Sequence, residues 1–255
     1  MRPIRALALA LAGCACFASS AGAAQTARLR VSLLPDVAGR RTTIELSLHI
    51  AGPGGSPPAP LSSFDFRLPA DMGIATTTLG QANCEPARLL EGGLGGCSAN
   101  ARIGFGEAIT DVPVGSENIR EKASLDALMG PATEDHLEVL FFVEALAPVS
   151  ARLVFPGLVQ EDVQPYGEQL ETSVPLIPTW PEGPDLALET FSSTIGPLDL
   201  TYSREVGGRS LPYHPHGIRI PQVCPAGGYP FAAQLDFQDG THASAVYHVP
   251  CPAAR

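Results

Sequence analysis

Two sets of side chains in this chain have the types and spacings that could do chemistry, four cysteines and four histidines. Cys84 and Cys97 bracket the glycine-rich stretch in "NCEPARLLEGGLGGCSANARIGFGEA" (83–108), and Cys224 and Cys251 bracket a second loop in the last third. A zinc clamp needs clustered pairs such as Cys-x2-Cys with a second pair of Cys or His. A redox couple needs Cys-x-x-Cys near a helix N-terminus. A gap of twelve residues rich in glycine matches neither, and a disulfide staple fits. Four cysteines allow three connectivities. Pairing 84 with 97 and 224 with 251 closes local loops, worth about 3 and about 3.5 kcal/mol on the chain-entropy account. The other two pairings need long-range contacts that the sequence does not display.

The histidines sit in "LPYHPHGIRI", which carries His214 and His216, and in the final hairpin, which carries His242 and His248. Imidazoles at i and i+2 of an extended chain point to the same side, a geometry that copper or zinc can use. These four are the candidate metal ligands. No carboxylate or cysteine is placed by sequence to complete the set, and a Pro-rich loop with two surface histidines accounts for the same residues. Acids occur in pairs at Glu134-Asp135 and Glu161-Asp162, and singly at Glu107, Asp111, Glu168 and Glu171. Two of them facing each other across about 5 to 10 Å would suit glycoside hydrolysis, and loop acids could bind calcium, although no Asp-x-Asp-x-Asp-Gly loop occurs. Strand-terminal acids read more simply as solvated turn residues. Gly-x-Ser-x-Gly, His-Glu-x-x-His, Ser-x-x-Lys and a phosphate-cradling glycine loop are all missing from the sequence. Nothing in it calls for a cofactor or assigns a catalytic residue.

Aromatic residues are few. Trp180 lies between prolines in "PTWPEGP", and Tyr202, Tyr213, Tyr229 and Tyr247 fall in the last third, where they could line a groove. In strands such residues usually serve as core or cross-strand partners. "VLFFVEAL" reads as a strand buried on both faces.

The elements that must position these residues follow from charge, breakers and alternation. Residues 1–24 read as an export signal, with Arg2 and Arg5 ahead of an apolar core and Ala21-Gly22-Ala23 where a peptidase would cut. Leu11-Ala12-Gly13-Cys14 also resembles a lipobox, which makes Cys14 a candidate lipidation site. Parity favours the first reading, because cleavage near Ala23 leaves an even set of four cysteines and lipidation would strand Cys16. No later segment supplies the 18 to 20 apolar residues of a membrane span. Removing residues 1–24 takes away Arg2 and Arg5 and no acid, so the formal charge goes from −10 to −12. Nucleic acid is a poor partner for that surface.

With 25 prolines and 26 glycines scattered along the chain, long helices have little uninterrupted room. Alternation bounded by breakers predicts strands over 27–35, 41–52, 61–69, 101–109, 119–130, 136–146, 150–159, 168–177, 186–196, 197–206, 218–224, 229–240 and 241–251. Residues 86–94 have room for a helical turn inside the cysteine loop. Asp239-Gly240 is the clearest hairpin signal. The pattern predicts an all-β chain, an antiparallel β-sandwich that could be two packed modules, 25–112 and 113–255, or one continuous domain.

The order "FDFRLPADMGI … NCEPARLL … GCSANARIGFGEA", then "VPLIPTWPEGPDLALETF", then "VCPAGGYPFAAQLDFQDGT" and a terminal "VPCP" resembles a loosely defined group of secreted actinobacterial proteins. The likeness runs from about residue 61 to residue 252. Where that group follows its second cysteine with proline, this chain has Ser98. The resemblance implies an exported, disulfide-bearing β-sandwich protein, and its motifs are structural.

Residue types and leader together predict a non-catalytic structural or interaction protein of the cell envelope or extracellular space. Its expected partner is an extracellular protein or glycan. The alternatives are a carbohydrate- or cation-binding module and a carboxylate-based hydrolase.

Overall fold

The computed structural model describes residues 24–132, 136–197 and 199–252. The expected export signal, including Cys14 and Cys16, falls outside these residues apart from Ala24, as does the pair Glu134-Asp135. The strands run β1 (Thr26–Leu34), β2 (Arg41–Ala51), β3 (Leu61–Pro69) and β4 (Gly73–Ile74). A short helix, α1 (Pro86–Gly92), precedes β5 (Arg102–Val114), β6 (Glu117–Met129), β7 (Leu137–Ala145), β8 (Ala151–Glu161), β9 (Tyr166–Ser173) and β10 (Ala187–Ile195). The chain closes with β11 (Tyr202–Val206), β12 (Arg209–Tyr213), β13 (Ile218–Arg219), β14 (Tyr229–Phe237) and β15 (His242–Val249).

All pairings are antiparallel, and thirteen strands form one sheet. Its long strands follow the order β15-β14-β3-β9-β8-β7-β6-β5-β10-β2-β1, with β13 and β4 attached at the start of β2. The expected antiparallel all-β class is therefore present. Its sandwich-like layering comes from one sheet that curls over until β1 lies alongside β15. Strict alternation of direction along this order leaves those two strands pointing the same way. At one end of the seam Gln25 bridges them, with its Nε2 donating to Asp239 Oδ2 at 3.3 Å and its Oε1 accepting from Ala59 N at 3.4 Å. Residues 112 and 113 fall inside β5, and strands from either side of that point interleave, with β14 beside β3 and β10 between β5 and β2.

Curling has local causes. Ladder registers slip between Leu188 and Thr190, Leu68 and Pro69, Asp236 and Phe237, and Arg102 and Gly104, and such bulges bend and twist the strand that carries them. Gly104 and Gly106 let β5 crowd β10, since a Cβ on Gly106 would come within 2.9 Å of Ser193 Cα. Alternation then decides which side chains turn inward. In β1, Leu29, Val31 and Leu33 are buried and their neighbours exposed, and β2 continues with Ile44, Leu46, Leu48 and Ile50.

β7 is buried on both faces, as its unbroken apolar run suggests. Val139 and Phe141 face the interior, while Leu140 and Phe142 are covered on the outside by Leu89 of α1. The Cys84–Cys97 bridge, Cα to Cα 5.4 Å, closes the loop that holds this helix in place. The second bridge, Cys224–Cys251 at 5.8 Å, ties the segment after β13 to the end of β15. Two local pairings are thus formed.

Four stretches depart from expectation, the first being the run predicted over 218–224, which is strand only at Ile218–Arg219. Strand β9 stops at Ser173 because Pro175 follows. The run predicted over 197–206 is strand only from Tyr202. Leu211–Tyr213, expected as loop, pairs with β11 through a turn in which Gly207 and Gly208 hold φ of 60° and 75°. Among the described residues no helix is long and apolar enough to cross a membrane.

Candidate ligand cavity

One end of the curled sheet is closed. β4 and β13 fold across it, and Met72, Leu79, Ile218, Ile220 and Tyr202 behind them are each at most 1 % exposed. Tyr202 locks the plug to the sheet, because its hydroxyl donates to Arg102 O at 2.6 Å and accepts from Gly80 N at 2.9 Å. Burial pushes this phenol up to about 12, so the donor stays protonated. The other end is crossed by residues 174–188, where Leu186 N donates to Ile177 O and Thr179 N to Pro184 O, which forms a small hairpin with Trp180 near its tip.

Between the two ends lie two adjoining apolar chambers. The outer, about 120 Å³, is walled by residues such as Leu48, Leu125, Leu153, Phe155 and Leu188, and comes to the surface past exposed Leu176. The inner, about 70 Å³, runs to the closed end among Ile44, Ile103, Val139 and Ile218. Phe64, Phe141 and Phe191 line both chambers and form the constriction between them, with the rings of Phe64 and Phe191 5.9 Å apart. An apolar cavity of about 150 Å³ suffices to hold benzene, so the outer chamber alone has the size for a small hydrocarbon group.

The lining is not purely apolar. Thr172 in the outer chamber and Ser193 in the inner are 3 % and 4 % exposed, and neither hydroxyl has a hydrogen-bond partner among the described residues. Each faces a glycine directly across its ladder, Thr172 opposite Gly157 and Ser193 opposite Gly106. The glycines leave room for these side chains, since a Cβ at 157 would sit 2.6 Å from Thr172 Oγ1. Glu168, two positions along the same inward row of β9 from Leu170, reaches the inner chamber and lies against Gly73. It forms no hydrogen bond or ion pair among the described residues, and burial raises its pKa. Neither hydroxyl touches a histidine or carboxylate, the partner that would activate it as a nucleophile.

The histidines singled out from sequence are exposed and serve separate local roles. His214 Nδ1 bonds Leu200 O at 3.0 Å, the carbonyl of His216 accepts from Thr78 Oγ1 at 2.6 Å, His242 pairs with Asp236, and His248 lies opposite Pro230. Among the described residues no three His, Cys, Asp or Glu side chains form a metal-holding group. Of the acids, Glu107 pairs with Lys122 at 2.5 Å, Asp162 with Arg67 at 3.5 Å, and Glu171 accepts from Gln160 at 2.8 Å. Among the described acids of that set, Glu168 alone lines one of the two chambers. Tyr202 and Tyr229 are core residues, and Trp180 is 48 % exposed.

Thr172, Ser193 and the phenylalanine constriction were not singled out from sequence, and Glu168 was grouped with turn acids. A signal was present in "YGEQLETS", where period two puts Glu168 and Thr172 on the row of Leu170. Comparison with protein-family models, with curated proteins and with solved structures returns no match.

Proposed function

We propose that this chain is an exported, non-catalytic interaction protein of the cell envelope or extracellular space that works by holding a small apolar ligand inside its curled sheet. The observation that carries the reading is the pair of apolar chambers inside an otherwise packed core. Well-packed interiors keep few voids larger than a water molecule, and leaving this volume unfilled forfeits contacts that every lining residue would otherwise make. Concave, mostly apolar sites with a few polar points are the usual form of a small-molecule site. Two disulfides and the leader-like residues 1–24 support placement in an oxidising compartment.

The test is calorimetric titration of the full chain with hexan-1-ol. Binding is expected with a dissociation constant on the order of 0.1–1 mM, given the efficiency of very small ligands. Ala108→Leu, which projects into the outer chamber, is expected to weaken it at least about tenfold while raising or preserving thermal stability. Absence of binding to the wild-type chain, or unchanged binding to the filled variant, defeats the reading.

A further inference from the structure

The chambers are chemically unequal, and the inequality selects among apolar ligands. The outer chamber offers hydrocarbon walls and one hydroxyl. The inner ends on a carboxyl and a hydroxyl: among the described residues Glu168 has no hydrogen-bonding or charged partner, and Ser193 Oγ is fully enclosed and unpaired. Directly across the β8–β9 ladder from Glu168 stands Glu161, an exposed acid that supplies no counter-charge. Arg67, on the neighbouring strand, is engaged instead with Asp162 and the ring of Tyr166. Glu168 is half-buried, and a carboxylate drawn partly out of water is ordinarily paired; the partner this one lacks among the described residues is a cation with hydrogen-bond donors.

We infer that the inner chamber takes the ammonium group of a hydrophobic primary amine, held between Glu168 and Ser193, with its hydrocarbon body passing the Phe64–Phe141–Phe191 constriction into the outer chamber. This rests on the ligand-holding role proposed above and names the ligand's class. An ammonium carries three donors, enough to satisfy both oxygens of the carboxyl end and the Ser193 hydroxyl. Glycines stand beside both groups, Gly106 opposite Ser193 and Gly73 against Glu168. The chain's formal charge of −10 raises the local concentration of cations around the molecule. An alkanol of the same length fills the same apolar volume and brings no charge. A carboxylate of that length meets repulsion from Glu168.

Calorimetric titration of the full chain with n-hexylamine, hexan-1-ol and hexanoate at neutral pH tests this. The amine is expected to bind at least tenfold more tightly than the alcohol, and hexanoate weakest. Glu168→Gln, which keeps size and shape, is expected to bring the amine down to the affinity of the alcohol and to leave the alcohol within about twofold of wild type. Equal binding of amine and alcohol to the wild-type chain overturns the assignment and leaves the ligand-holding role standing, as does an amine preference that survives in Glu168→Gln. Failure of all three probes overturns both. A folded Glu168→Gln variant is verified by an unchanged far-ultraviolet circular dichroism spectrum, and Ser193→Ala supplies an independent variant in which the amine preference falls while the alcohol is retained.

Discussion

Two glutamates on inward rows of the same curled sheet, one toward each end, differ in what the chain gives them to bond. Near the open end Glu121, 1 % exposed, accepts the amide hydrogen of Val149 through both carboxylate oxygens at 3.3 Å, and so ties β6 to the loop between β7 and β8. At the closed end Glu168 faces a chamber and bonds to nothing among the described residues. Burial raises the pKa of both, and at Glu121 the backbone hydrogen bonds from Val149 and Ala147 work against it. The same residue type is thus structural where the chain supplies a donor and unspent where it does not. A core that leaves a carboxyl and two hydroxyls without partners among the described residues is less stable than it could be.

The plug that closes the inner chamber should be the most sensitive part of the molecule. Tyr202→Ala removes a fully buried ring and the hydroxyl that joins Gly80 to Arg102, and is expected to cost about 3–5 kcal/mol in urea unfolding. A loss under 1 kcal/mol would mean that the closed end is held by something other than this packing.

The two glutamates themselves can be compared by making one change at both. Glu121→Met is expected to lower stability by about 1.5–3 kcal/mol, because Val149 N loses a charged acceptor. Glu168→Met is expected to raise it by about 1 kcal/mol, because an unpaired carboxyl leaves an apolar chamber, and that gain should show as a rise of about 2–4 °C in Tm. Its pH dependence has a fixed sign. A carboxyl whose folded pKa is raised binds its proton more tightly in the native state, so the wild-type chain loses stability as pH rises from the ordinary value of 4.5 through the higher folded pKa. The Met variant's advantage is therefore present at neutral pH and vanishes on acidification below that window. Equal signs for the two substitutions would erase the distinction between the ends.

The smallest effect is expected at the rim. Trp180 is half exposed at the tip of the hairpin that crosses the mouth, and Trp180→Ala should change unfolding free energy by no more than about 0.5 kcal/mol. A larger loss would show that this hairpin is part of the packed core and not a cover over the outer chamber.

Much of the framework is legible in the residues. Alternation in "ARLRVSLLP" and "RTTIELSLHIAG" places β1 and β2, and Asp239-Gly240 turns β14 into β15, with Gly240 at φ 78° and Asp239 Oδ1 accepting from Thr241 N at 2.9 Å. The candidate site is far less legible. Glu168 looks like any acid at the head of a strand, and its inward aim depends on pairing opposite Leu68 of β3, more than ninety residues away in sequence. Thr172 and Ser193 are ordinary strand residues until the ladders bring Gly157 and Gly106 opposite them.

The chain's own sequence determined the class of fold, most of the strand positions and the two short disulfide loops, because alternation, turn residues and close cysteine spacing are local properties that act within a few residues. The tertiary structure decided that one sheet would bend over on itself, that its lumen would remain partly unfilled, and that three polar groups would line that lumen without partners among the described residues. These outcomes depend on which distant strands share a ladder and in what register, and a shift of a single residue in that register turns every side chain of a strand to the opposite face.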